Sequence, residues 1–252
     1  MLRRSMWGSL LSKCTSSPAR IILWLLAALA LPAAAAEPPT PHYTTVPASP
    51  DGIGKVYLGR EISHVMSFHG APWLERTERP DEERPDRVLR ALGLKAGMTV
   101  ADIGAGTGFY TWRIAQRIGA GGMVYAVDVQ REMLKALEQQ MSRRGAVNIK
   151  PVLGSDADPK LPPGSLDLAL MVDVYHEFAQ PYEMLAAIVR AVKPGGHVAF
   201  VEFRGNDPRV PIKPLHTMTE VQVRREAAVH SLAWVATTRD LPWQQVIVFR
   251  KP

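Results

Sequence analysis

Val100-Ala101-Asp102-Ile103-Gly104-Ala105-Gly106-Thr107-Gly108-Phe109 is the stretch that decides the fold. An apolar run carrying an acid leads into glycines at every second position, and an amphipathic pattern follows. That order reads as a buried strand, a tight turn and the start of a helix. Glycines let the backbone pass close to a ligand, and a helix start offers N–H donors that no helical carbonyl accepts.

Outward from this corner, strand and helix patterns alternate. Strands are expected near 98–103, 123–128, 148–153, 166–172 and 197–203, and helices near 108–118, 130–143, 180–192 and 218–230. Two late apolar runs, 232–238 and 244–250, flank Asp240-Leu241-Pro242 and read as a closing pair of strands. Five such repeats demand a parallel sheet with right-handed crossovers and helices on both faces. Ligands of an open parallel sheet bind outside the carboxyl ends of its strands, so four strand ends converge on one site.

The chemistry of those ends is specific. The second strand, Met123-Val124-Tyr125-Ala126-Val127-Asp128, ends in an acid able to accept both hydroxyls of a ribose. The third ends at Gly154-Ser155-Asp156-Ala157-Asp158, a polar turn suited to an adenine edge. The fourth ends at Asp173-Val174-Tyr175-His176-Glu177-Phe178. Glycines at 104, 106 and 108 depart from the G-x-G-x-x-G spacing of dinucleotide sites. Asp102 before them would repel a pyrophosphate and attract an amine or a sulfonium. S-adenosylmethionine carries both, with an adenosine.

Together with Val192-Lys193-Pro194-Gly195-Gly196-His197, these motifs resemble the set found in class I S-adenosylmethionine-dependent methyltransferases, over roughly residues 86–250. The resemblance implies an α/β, Rossmann-like three-layer sandwich. Its seven-stranded sheet is mostly parallel, with an antiparallel last strand between its neighbours. It also implies S-adenosyl-L-methionine as cofactor. Gly104, Ala105 and Gly106, in the turn closed by Gly108, would take the methionine part, with Asp102 near its amine. Asp128 would hold the ribose, Val129 would pack on adenine, and Asp156 and Ala157 would meet the adenine rim. Asp173 would open the segment that faces cofactor and substrate. In that segment His176 is the candidate base, with Glu177 beside it, more readily a helix cap or a solvated first-turn acid, and Tyr175 either closes over the methyl group or belongs to the core. The lobe before the domain, from Gly59 to Arg76, is similar to a group of bacterial methyltransferase-like proteins with export signals.

The remaining chain divides into parts. Residues 1–36 are basic at the start (Arg3, Arg4, Lys13, Arg20), carry the apolar run Ile21–Leu31, and end in Ala33-Ala34-Ala35-Ala36. They read as a signal peptide cleaved after Ala36, which predicts an exported, periplasmic protein, with a retained membrane anchor as the alternative. Residues 37–56 read as a Pro-rich linker, and 57–92 as a small N-terminal helical lobe. In that lobe Arg60–Met66 is expected to be helical and His69, Trp73 and Arg76 to cover the site. Residues 93–252 form the catalytic domain.

Charge and composition exclude several classes. The net charge is +6, but residues 37–252 hold 26 basic against 24 acidic residues, a balance of +2 without a basic tract. No nucleic-acid partner is expected. The single cysteine, Cys14, lies in the N-terminal segment, so the rest forms no disulfide and no thiolate metal site. His64, His69 and His176 lack ligand spacing, and no metal is expected from them. Neither G-x-S-x-G nor G-x-x-x-x-G-K-[ST] occurs, against hydrolases and nucleotide triphosphatases. The expected activity is methyl transfer to an O, N or S nucleophile of a small-molecule acceptor. The alternatives are a non-catalytic cofactor-binding or regulatory protein and a methyltransferase of a membrane-associated protein or lipid. Acceptor choice is expected to lie before residue 86 and in Arg204–His216, including Lys213-Pro214-Leu215-His216. Oligomeric state is not legible.

Overall fold

A computed structural model describes residues 43–252. The expected signal segment with its expected cleavage site, Cys14 and the start of the Pro-rich stretch lie outside the described residues. Among the described residues no helix is long and apolar enough to cross a membrane.

The strands of the main sheet are β4 (Thr99–Ile103), β5 (Met123–Asp128), β6 (Ile149–Leu153), β7 (Leu166–Val172), β8 (Val192–Phe203), β9 (Ala233–Thr238) and β10 (Gln244–Arg250), all numbered in chain order after three strands of the N-terminal lobe. Their spatial order is β6-β5-β4-β7-β8-β10-β9. The first five run parallel, and β10 lies antiparallel between β8 and β9. The expected seven-stranded sheet with a reversed last strand is therefore present. The order reverses between β4 and β7, which puts the crevice for a ligand beside the Gly-rich turn.

Alternation along each central strand builds two cores, because successive side chains point to opposite faces. Val100, Val124, Leu168, Leu170 and Val201 face α3 (Pro85–Ala91) and α4 (Phe109–Ile118), meeting Val88, Tyr110, Ile114 and Ile118. Ala101, Ile103, Ala169, Met171, Phe200 and Phe249 face α6 (Pro181–Ala191) and α7 (Glu220–Ala228), meeting Leu185, Ile188, Val223 and Ala227. The fifth helix, α5 (Arg131–Arg143), packs Leu137 and Met141 over Ala126. Both faces are covered, as an all-parallel block requires.

The N-terminal lobe differs from expectation. Part of the span read as a linker pairs: β1 (Tyr43–Thr45) and β2 (Gly52–Tyr57) join β3 (Arg60–Ser63) in a three-stranded antiparallel sheet. Arg60–Ser63 is thus a strand rather than the expected helix. The cause is the turn. Tyr57 pairs with Arg60, leaving a two-residue loop whose residues Leu58 and Gly59 both have positive φ, 47° and 89°. That loop suits the twist of an antiparallel hairpin and stops any helix there. Two short helices follow, α1 (Ala71–Leu74) and α2 (Arg79–Glu83). The charges of α2 are not all on a solvated face: Arg79 and Glu83 are buried and paired at 2.9 Å.

Candidate functional site

Each site residue is set by a strand end. The turn after β4 is forced into the left-handed region, with φ of 72° at Gly104, 53° at Gly106 and 94° at Gly108. At Gly104 a Cβ would collide with the Val174 side chain, and at Gly106 it would lie 2.9 Å from Leu74 Cδ1. These two glycines let the lobe and the fourth strand end close onto the turn. Gly108 serves packing instead, since a Cβ there would meet Leu137 and Met141 of α5 at 3.0 Å.

The turn borders a cavity of about 300 Å³, within the size range of small-molecule sites. Its wall includes Asp102, Gly104, Ala105, Gly106, Asp128, Val129, Asp156 and Asp173, so most of the expected cofactor residues are brought together. Gly108 and Ala157 are not in that wall. Of the three candidate catalytic residues only Glu177 borders the cavity. Tyr175 is fully buried in the core, edge-on to Phe178 and Phe200. His176 is also buried, with Nδ1 2.7 Å from Glu202 Oε2. Of the expected covering residues Trp73 lines the cavity, while Arg76 stacks on the Trp73 ring at 3.8 Å and His69 lies outside the wall.

Asp128 is held by backbone donors. Gly106 N–H donates to Oδ2 and Gln130 N–H to Oδ1, each at 2.9 Å. Burial raises its carboxyl above the usual range, and those donors act against the rise. Asp102 accepts from the Thr111 hydroxyl at 2.6 Å and is pushed up to about 6 by burial. Asp173 has φ of 49° and accepts from the Gln244 amide through Oδ2; its buried Oδ1 has no partner. Burial holds its carboxyl well above the carboxylate range. Among the described residues, neither Asp102 nor Asp173 makes an ion pair, whereas Arg76 and Arg79 converge on Glu83.

This donor set fits S-adenosylmethionine on three counts. The glycines leave a cradle that a Cβ would fill. Asp102 and Asp173 are buried acids bordering the cavity, and the second has an orphaned oxygen; a cationic group there would favour their ionised forms, which burial opposes. Asp128, on the neighbouring strand end, keeps lone pairs for hydroxyl donors, because each carboxylate oxygen accepts more than one hydrogen bond.

Several residues of the site were not legible from motif spacing. Gln130 clasps the lobe: its Nε2 donates to Met66 O at 2.8 Å and its Oε1 accepts from Phe68 N–H at 2.7 Å. Ser63, His64, Val65 and Met66 line the cavity because Arg60–Ser63 is a strand running past it. Glu202 accepts from Tyr175 N–H and faces His176. An acid inside the apolar run Phe200-Val201-Glu202-Phe203 carries the same signal as Asp102 and could have been read that way. His216 also approaches, its Nδ1 3.7 Å from Glu177 Oε1.

Comparison with known proteins agrees with this geometry. Residues 100–196 match the family described as "Methyltransferase domain". Nocamycin O-methyltransferase of Saccharothrix syringae is 29% identical over 112 residues, 44% of this chain and 40% of that protein. Demethylmenaquinone methyltransferase of Geobacillus stearothermophilus is 29% identical over 115 residues, 46% of this chain and 49% of that one. The matched stretch spans about half the length of these curated relatives or less. A solved SAM-dependent methyltransferase from Aquifex aeolicus shares the fold, with a TM-score of 0.71 and 24% identity over 75% of this chain and 100% of that one. Residues 100–196 therefore carry a methyltransferase domain, and family and fold imply S-adenosyl-L-methionine as the cofactor.

Proposed function

We propose that the chain transfers a methyl group from S-adenosylmethionine to an O, N or S nucleophile of a small-molecule acceptor. The observation that carries this reading is the cavity itself. It joins the glycine turn, Asp102, Asp128 and Asp156 on one side to the lobe residues and Glu177 on the other. The curated relatives support the acceptor class, since one is named for a quinone precursor and another for the small molecule nocamycin.

When bound, the cofactor would supply a methyl group on a sulfonium: the S–CH3 bond breaks as a bond from that carbon to the acceptor's O, N or S forms, a thioether is left, and the acceptor's proton passes to water or to the Glu177 carboxylate. The protein's part is alignment and exclusion of water. The turn from Gly104 to Gly106 and the acids Asp102 and Asp173 fix the amino-acid end, and Asp128 fixes the ribose. Trp73, Leu74 and Met66 close the cavity from the lobe. Glu177, rather than His176, meets the acceptor, and His176 acts from behind it.

Thermal melting of the full chain tests the reading. S-adenosylmethionine and S-adenosylhomocysteine should each raise the Tm, because ligands of the native state stabilise it by mass action. No shift at millimolar ligand sinks it. Transfer of a radiolabelled methyl group to a low-molecular-weight extract then identifies the acceptor class. Export is part of the proposal: the mature N-terminus should be Glu37, and a start at Met1 points to a retained anchor.

A further inference from the structure

We propose that His176, Glu177 and His216 form a binding site for one divalent transition-metal ion of the zinc class. One ligand atom from each residue lies within 4.8 Å of the others. His176 Nε2 is 3.9 Å and His216 Nδ1 3.7 Å from the same Glu177 Oε1. At these separations neither imidazole hydrogen-bonds to the carboxylate. Three donors thus converge on a common point without satisfying one another. Ligands sharing a tetrahedral ion at about 2.1 Å stand roughly 3.4 Å apart, so closure needs movements of a few tenths of an ångström to about an ångström.

The surroundings are those a metal ligand needs. Glu202 Oε2, 2.7 Å from His176 Nδ1, holds the proton there and leaves Nε2 with its lone pair. A carboxylate behind a ligating imidazole is the recurrent means of fixing its tautomer and raising its basicity. The His176 carbonyl accepts from Arg60 and Ser63, which pins the backbone of the site. His216 ends the short turn Pro214–His216 and keeps 24% of its side chain exposed, which gives an ion a route in. Two imidazoles and one carboxylate select zinc-class ions over Mg²⁺ and Ca²⁺, which take oxygen ligands.

Glu177 is the member shared with the cavity wall. An ion there stands at the acceptor end and ligates an oxygen, nitrogen or sulfur of the acceptor. That placement rests on the methyl-transfer reading; the ion site itself does not.

The test uses the full chain after chelator treatment and dialysis. Co²⁺ is followed by its visible absorption and Zn²⁺ by calorimetry. One ion per chain is expected, with visible bands shared by nitrogen and oxygen ligands. His216→Ala, at a part-exposed turn, should weaken Zn²⁺ binding more than about tenfold, and Glu202→Gln by about 10- to 100-fold. Circular dichroism reports that each variant is folded. Absence of Zn²⁺ and Co²⁺ uptake at about 100 µM, or uptake that His216→Ala leaves unchanged, overturns the site. The Tm shift with S-adenosylhomocysteine, measured on the same sample, separates the two readings. A shift without ion uptake removes only the metal site, and ion uptake without a shift removes only the cofactor reading.

Discussion

The backbone N–H of Gly106 donates to Oδ2 of Asp128 at 2.9 Å, so the glycine turn and the acid of the adjacent strand form one unit. β4 and β5 are parallel neighbours, and Ile103 pairs with Val127 immediately before both groups. Gly104 and Ala105 donate in turn to the Val127 carbonyl, at 2.8 and 2.9 Å. The turn is therefore hydrogen-bonded to the strand end that presents Asp128. A ligand that uses one must meet the other.

Asp128→Asn tests that unit. The Gly106 and Gln130 N–H groups donate to different oxygens, and the amide replaces one of these by an NH2 donor, so one of the two N–H groups loses its acceptor. Loss of a charge-assisted bond at a buried site costs about 1.5–3 kcal/mol. Cofactor affinity should fall at least tenfold by calorimetry, and denaturant melts should show a loss of similar size. Undiminished affinity in the folded variant would remove the ribose assignment.

Gly104→Ala acts on sterics alone. A Cβ would strike the Val174 side chain, and φ of 72° is itself unfavourable for alanine. Backbone strain of about 1–2 kcal/mol adds to overpacking of about 1–3 kcal/mol. Stability should drop, with loss of the cofactor-induced Tm shift. Adding Val174→Ala should restore part of the stability by relieving the clash; a double variant no better than the single one contradicts this account.

Asp102 gives a pH dependence whose sign follows from its environment. Its carboxyl is raised from 3.8 to about 6, with burial the largest cause. The native state thus binds the proton more tightly than the unfolded chain. The stability this supplies is complete below about pH 4 and is lost as pH rises through about 6. The loss amounts to about 3 kcal/mol. Urea melts from pH 4 to pH 7.5 should show wild type losing that much relative to Asp102→Asn. A cationic ligand favours the ionised form, so its affinity should rise over the same window. A difference between the two proteins that is flat with pH excludes the raised carboxyl.

The strands β4 to β7 were legible because each is a short apolar run ended by glycine or acid, whereas β8 starts at Val192, five residues before the expected 197. Met123–Asp128, Leu166–Val172 and Gln244–Arg250 have the boundaries the pattern predicts. The cofactor side was legible because its residues sit at fixed offsets from those ends. The lobe was not. Ile62, Val65 and Met66 match a helical face, yet the positive φ of Leu58 commits the preceding turn to a hairpin. A leucine carries no signal for that conformation. Here tertiary contacts supply it, as Gln222 and Arg225 of α7 both donate to the Leu58 carbonyl. The cluster of His176, Glu177 and His216 was invisible for a different reason: its members lie on two short turns, Tyr175–Glu177 and Pro214–His216, that α6 and β8 separate in the chain.

Gln130 decides how firmly the lobe closes. Its side-chain amide uses both ends on one strand exit, accepting from Phe68 N–H and donating to the Met66 carbonyl. Its own backbone N–H holds Asp128 Oδ1, a bond that alanine keeps. Gln130→Ala therefore releases the lobe and leaves the acid in place. Each lost bond contributes about 0.5–1.5 kcal/mol, and the contacts lie near the surface, where water replaces them. Global stability should change by less than about 1 kcal/mol. Amide exchange at residues 66–68 should accelerate, because local opening needs fewer contacts to break. Cofactor affinity should fall about five- to thirtyfold, chiefly through faster dissociation. Stopped-flow release of S-adenosylhomocysteine reads this directly, and an unchanged dissociation rate with accelerated exchange shows that the lobe does not retain the cofactor.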